Sequence, residues 1–113
     1  MVRIRKESDY ISIFDDHTGA YVRSGIMEEG KDSGCDPFMS TFPELLDVGI
    51  MGHCTHGKTG LCLRAGVQCY QSGLTADTPN MKLDSFWRIA RECKDRTFQF
   101  ALGGCGDPDQ HAH

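Results

Sequence analysis

Three cysteines within sixteen residues, Cys54, Cys62 and Cys69, alternate with glycines at positions 57, 60, 66 and 73. A stretch of this kind carries too little side-chain mass to make a core of its own, and its glycines lose more backbone freedom on ordering than other residues do. Residues 53–73 therefore read as a long loop that something must organise. The flanks are more regular. Residues 45–51, Leu-Leu-Asp-Val-Gly-Ile-Met, are a mostly apolar run of strand length that stops at a glycine and a histidine just before Cys54. Residues 83–94 put Leu83, Phe86, Ile89, Ala90 and Cys93 at helical spacing and leave Lys82, Asp84, Arg88, Arg91 and Glu92 for solvent. Residues 97–102, Thr-Phe-Gln-Phe-Ala-Leu, read as a second strand that ends at the pair Gly103-Gly104. A helix between two apolar strands is the order of a βαβ unit, whose strands run parallel.

Ahead of this unit, residues 10–14 and 20–23 are rich in aromatic and β-branched types, and the intervening Asp15-Asp16-His17-Thr18-Gly19 supplies turn chemistry, so a β-hairpin is expected. Residues 25–43 show little periodicity and read as an irregular connection. The chain thus divides into residues 1–44, hairpin and connection, and residues 45–113, an α/β segment. At 113 residues and 39% hydrophobic it has material for only a modest core. Residues 103–113 stop in a polar loop with no element to cover what precedes them, so the α/β segment reads as the start of something longer.

Charged residues make up 25% of the chain and the net charge is -4, which gives no long-range positive field for nucleic acid or an anionic membrane. The first residues hold no apolar stretch of signal-peptide length, and no later run is long enough to span a bilayer. A soluble cytoplasmic protein with reduced thiols is expected. Six cysteines would otherwise suit a disulfide framework; in a reducing compartment three of them in one loop point to metal.

Seven residues separate Cys54 from Cys62 and six separate Cys62 from Cys69, so neither pair has the two-residue spacing of a zinc knuckle. A structural zinc site closes its tetrahedron, which His53 or His56 could do here as the fourth ligand of a Cys3His module with a binding role and no catalysis. Three thiolates without a fourth instead suit a 4Fe-4S cluster with one iron open to a small molecule. Gly103 and Gly104, at the carboxyl end of a parallel strand, leave backbone carbonyls unshielded and suited to a ligand ammonium. Lys58 and Arg64 border the cysteine loop and could pair with a ligand carboxylate. Cys35 and Cys93 read as loop and helix-core residues, Cys105 as a side chain between glycines whose backbone makes the contacts, and His111 and His113 as a polar end.

The strand 45–51 running into Gly52-His53-Cys54, the third cysteine followed by Tyr70, the helix, and the second strand ending in Gly103-Gly104-Cys105-Gly106-Asp107-Pro108 resemble the opening of a radical S-adenosylmethionine (radical SAM) domain. The closer likeness is to a branch with a hairpin before the barrel and a wide cysteine loop, similar to peptide-modifying maturases. The resemblance implies a partial parallel (β/α) barrel in a longer chain. It implies Cys54, Cys62 and Cys69 as ligands of a 4Fe-4S cluster, and Gly103 and Gly104 as contacts to the amino group of S-adenosylmethionine. It further implies reductive cleavage of that cofactor to a 5′-deoxyadenosyl radical, an electron donor such as a flavodoxin or ferredoxin, and a small peptide as substrate. Residues 1–113 alone are then expected to be inactive.

Overall fold

Alternation decides the first sheet. In the strand Tyr10–Asp15 (β2), Tyr10, Ser12 and Phe14 are buried while Ile13 faces out. The computed structural model, which describes residues 1–32, 34 and 38–113, places β2 between two antiparallel neighbours, Val2–Lys6 (β1) and Tyr21–Gly25 (β3). The expected hairpin is thus β2–β3, with Phe14 opposite Tyr21 and Ser12 opposite Arg23. The turn between them is built by Asp15, whose carboxylate accepts the N–H of His17 at 3.1 Å and the hydroxyl of Thr18 at 2.8 Å. Gly19, at φ 74°, returns its N–H to the Asp15 carbonyl at 2.8 Å. The irregular connection contains a two-residue antiparallel pair, Met27–Glu28 (β4) with Lys31–Asp32 (β5). Cys35 lies outside the described residues.

The chain forms two compact units, residues 1–44 with 95–98, and residues 45–94 with 99–113. The first is closed by its late segment: Phe98 stacks on Phe14 at 5.5 Å between ring centroids, its N–H donates to the Glu44 carbonyl at 2.8 Å, and Thr97 Oγ1 donates to the Pro43 carbonyl at 2.8 Å. The residues expected to begin the second strand of the βαβ unit, Thr97 and Phe98, therefore belong here, and that strand starts later.

In the second unit the strand Leu45–Met51 (β6) pairs in parallel with Gln99–Gly104 (β7). The two form the one parallel sheet among the described residues; the other two sheets are antiparallel. The helix Leu83–Cys93 (α3) lies between them in sequence, as its apolar spacing predicts, with Asp84 in the first turn and Arg91 in the last, the charge order a helix dipole favours. Phe86 of α3 meets Phe100 of β7 at 5.8 Å, and Cys93 is buried on the apolar face. The fold class is mixed α/β. Among the described residues no helix is long and apolar enough to cross a membrane.

Residues 53–73 are more regular than their composition predicts. They contain two short helices, Thr55–Thr59 (α1) and Leu61–Arg64 (α2), joined at Gly60, whose φ of 67° caps α1 in the left-handed region. Gly66, at φ 74°, turns the chain out of α2. Two of the glycines that argued for a loop, Gly60 and Gly66, act as helix stops. Residues 78–81 then run beside the end of β6: Met81 N–H donates to the Ile50 carbonyl at 2.8 Å, Thr78 N–H to the Gly52 carbonyl at 3.0 Å, and Gly52 N–H to Asn80 Oδ1 at 2.9 Å.

Candidate functional site at the carboxyl ends of the parallel strands

Past Met51 the backbone pieces approach one another so closely that side chains would not fit between them. A Cβ on Gly57 would lie 1.8 Å from the Gly73 carbonyl oxygen, and one on Gly52 would lie 2.4 Å from the carbonyls of both Thr78 and Pro79. One on Gly106 would lie 2.3 Å from the His53 carbonyl, and one on Gly104 would lie 2.3 Å from that of Met51. Real Cβ atoms do not approach backbone this way. Glycine is therefore what lets α1, the segment after Cys69 and the turn after β7 meet.

Cys54 and Cys69 come together around Gly73. The position of an added Cβ on Gly73 lies 3.1 Å from Cys54 Cβ and 3.3 Å from Cys69 Sγ, so the missing side chain leaves a cradle between the two cysteines. Each sulfur also accepts a backbone N–H: Cys54 Sγ that of Gly57 at 3.3 Å, and Cys69 Sγ that of Gly73 at 3.4 Å. The first of these makes Cys54 the N-cap of α1, a place usually held by serine, threonine, aspartate or asparagine. Cys62 sits on α2, half-buried. It does not join Cys54 and Cys69 within reach of a single ion, since no group of three His, Cys, Asp or Glu side chains among the described residues is placed to hold one.

The two glycines of the pair differ. Gly103 stands opposite Gly49 with nothing within 4 Å of where its Cβ would be. Gly104 is opposite Met51 after a register shift, at φ 121°, so its lack of a side chain serves strand pairing first. Both line a cleft of about 430 Å³ on the open face of the β6–β7 pair, floored by Asp47, Gly49 and Ala101 and walled by Tyr70, the residue after Cys69. Tyr70 is 91% exposed, so its ring stands free at the rim.

The charged residues near the loop are engaged elsewhere. Lys58 pairs with Asp77, and hydrogen bonding to that ammonium holds the Asp77 carboxyl below its ordinary pKa. Arg64 donates to the Thr59 carbonyl at 2.7 Å. His53 Nδ1 lies 3.4 Å from the Thr78 carbonyl, and His111 Nε2 donates to that of Met81 at 2.9 Å. These contacts give each residue a structural explanation.

Cys105 lies between two glycines whose backbone makes the contacts, as its sequence context indicates. Its N–H donates to the Met51 carbonyl at 2.9 Å, and its own carbonyl oxygen lies 3.2 Å from the same Gly73 Cβ position that Cys54 and Cys69 adjoin. The signal available in the sequence was the alternation Gly104-Cys105-Gly106, in which each glycine fits one backbone contact and leaves the cysteine fixed between them. Comparison of the chain with protein-family models, with curated proteins and with solved structures finds no match.

Proposed function

We propose that residues 45–113 form the opening of a radical SAM domain, with Cys54, Cys62 and Cys69 as ligands of a 4Fe-4S cluster and β6–α3–β7 as the first repeat of a parallel (β/α) barrel in a longer chain. The observation that carries this reading is the convergence of Cys54 and Cys69 on the Gly73 cradle, at the same end of the parallel pair as Gly103. Ligands of α/β folds bind at the carboxyl ends of parallel strands, and the cysteine and glycine elements meet there although about thirty residues separate Cys69 from Gly103.

Two of the three donors are brought together, and Cys62 would have to close on them for the group to be held. A single tetrahedral ion with metal–sulfur bonds of about 2.3 Å needs its thiolates almost in contact, whereas a four-iron cubane stands between thiolates that are farther apart. A cluster spanning Cys54 and Cys69 across the glycine cradle would draw its third thiolate, Cys62, from helix α2. The N–H groups of Gly57 and Gly73 would hydrogen-bond to the ligating sulfurs. Gly103 would offer its carbonyl to the ammonium of S-adenosylmethionine, and the cleft beside it would hold the rest of that molecule. Cluster and cofactor together would supply reductive cleavage of the sulfonium carbon–sulfur bond and a 5′-deoxyadenosyl radical. A flavodoxin or ferredoxin as electron donor and a small peptide as substrate complete the proposal.

Anaerobic reconstitution of the chain with iron and sulfide tests it. About four irons and four sulfides per chain are expected, with loss of the cluster in Cys54→Ala, Cys62→Ala and Cys69→Ala and retention in Cys93→Ala. A colourless protein that binds one zinc tightly would overturn the reading in favour of a closed metal module.

A further inference from the structure

We propose that the outward face of the β1–β2–β3 sheet is where two copies of this chain meet, sheet against sheet, with the strands of one reversed on the other. The register lays three β-branched residues side by side across all three strands, Ile4 opposite Ile13 and Ile13 opposite Val22. They are 66%, 39% and 56% exposed in that order. Val2 and Ile11 extend the row along β1 and β2, since side chains two residues apart share a face. An antiparallel sheet with one side in water normally turns its polar residues to that side. Here Arg3, Arg5, Ser12 and Arg23 take the inward face and the aliphatic residues the outward one. The inference concerns the first unit and does not depend on the cluster reading.

The charges at the two ends of this face select the occupant. Lys6, exposed, stands at one end opposite Ile11. Asp15 stands at the other end opposite Val2 and is followed by Asp16; the Met1 ammonium pairs with both carboxylates, which leaves that end net negative. A partner of one charge sign would be repelled at one end or the other. A second copy, brought on by a half-turn about the Ile4–Ile13–Val22 row, meets no such conflict. The row lies on its own counterpart, and Lys6 of each copy comes to the acidic end of the other. A half-turn about the strand direction would instead keep like ends together, so charge favours the reversed arrangement. Sheets stacked in this way cover each other's face, and assembly stops at two. With strands about 4.8 Å apart and residues about 3.3 Å apart, the face is only about 15 Å by 17 Å, at the low end for a specific interface. A weak dimer is expected, with a Kd of about 10–100 μM.

Sedimentation equilibrium of the whole chain tests it, in reductant so that no disulfide links the copies, from about 1 μM to about 1 mM. The average mass should rise from one chain to two and no further. Ile4→Lys and Val22→Lys, at exposed strand positions where the fold loses little, should each raise the Kd about tenfold or more. Should a lysine variant not fold, Ile4→Thr keeps the β-branch and should still weaken the dimer several-fold. Carbodiimide, which joins an ammonium directly to a carboxylate, gives a readout on the parent alone. Within one copy Lys6 and Asp15 are four positions apart along the β1–β2 pair, about 13 Å, too far for their side chains to meet. Links from Lys6 to Asp15 or Asp16 should therefore join light to heavy chains in a mixture of ordinary and nitrogen-15-labelled protein. A chain that stays single at the highest concentration overturns the proposal; if its Ile4 and Val22 methyl groups are then shielded from a soluble paramagnetic probe, the face belongs to the chain's own second unit. A mass that climbs past two copies, a dimer that the variants do not weaken, or a dimer without mixed Lys6 links overturns it equally.

Discussion

In the first unit one carboxylate gathers the structure, whereas in the second the backbone packs against itself. Glu44 is buried and accepts from Ser12 Oγ, from the Tyr21 hydroxyl, and from Arg23 Nη2 at 2.8 Å and Nε at 3.1 Å. Burial alone would raise its pKa, but the three donors outweigh that and hold it below the ordinary carboxylate range. The Tyr21 phenol is pushed up to about 12, by burial first and then by its bond to Glu44. The second unit has no comparable hub among its described residues; its contacts at Gly52, Gly57, Gly104 and Gly106 involve no polar side chain of the glycine's own. A polar hub can be weakened by pH and by loss of one partner. Backbone-to-backbone packing resists pH and fails at the first added methyl.

The sharpest way to break the comparison is Gly57→Ala. With the new Cβ 1.8 Å from the Gly73 carbonyl, α1 or the segment after Cys69 must move, at an expected cost of about 3 kcal/mol or more. Hydrogen exchange should show lost protection across residues 54–74 while β1–β3 keep theirs. Uniform loss across the chain would show that the two units are not separately held.

Glu44→Gln should cost about 2 kcal/mol in urea unfolding, because the buried donors lose a charged acceptor, and the figure is kept low because the Arg23 side chain is 38% exposed. The pH dependence follows in sign. The folded pKa of Glu44 lies below its unfolded value, so its contribution is fully present above about pH 4.3 and is lost as the pH falls through the folded value. Glu7 behaves alike: burial would raise its pKa, and bonds from Thr41 and Arg5 lower it. Glu44→Gln should therefore flatten the acid limb of stability and leave the remainder due to Glu7, Asp15 and Asp77. An unchanged acid limb would remove Glu44 as the hub.

The smallest effect separates the glycine pair. Gly104→Ala meets the Met51 carbonyl at a φ of 121° and should cost about 1–2 kcal/mol, whereas Gly103→Ala meets nothing and should cost under about 0.5 kcal/mol. Thermal melts of the two variants measure the difference. Equal melting points would show that β7 pairs differently with β6.

What could be read from the sequence follows the range of the interactions. β6 and α3 were legible because apolar spacing is a local signal, and the pairing of β6 with β7 followed from their order around a helix. β1 was not, since its pattern is inverted: Val2 and Ile4 are exposed, while Arg3 and Arg5 are less so and donate to the carbonyls of Thr97 and Arg96. No local rule predicts an inward arginine whose acceptor lies some ninety residues away. The same limit applied to the site. The loop cysteines announced themselves by proximity in sequence, but Gly106 reaches Cys54 only through the β6–β7 register, which no spacing encodes.

The return of residues 95–98 to the first unit has a consequence for how the protein is made. Synthesis is vectorial, at about 5–20 residues per second, so the amino-terminal sheet leaves the ribosome well before Thr97 and Phe98, which complete it. Phe14 must wait several seconds for its stacking partner while the whole cysteine loop is being translated. The unit begun first is thus closed only after most of the second, through α3, has been made.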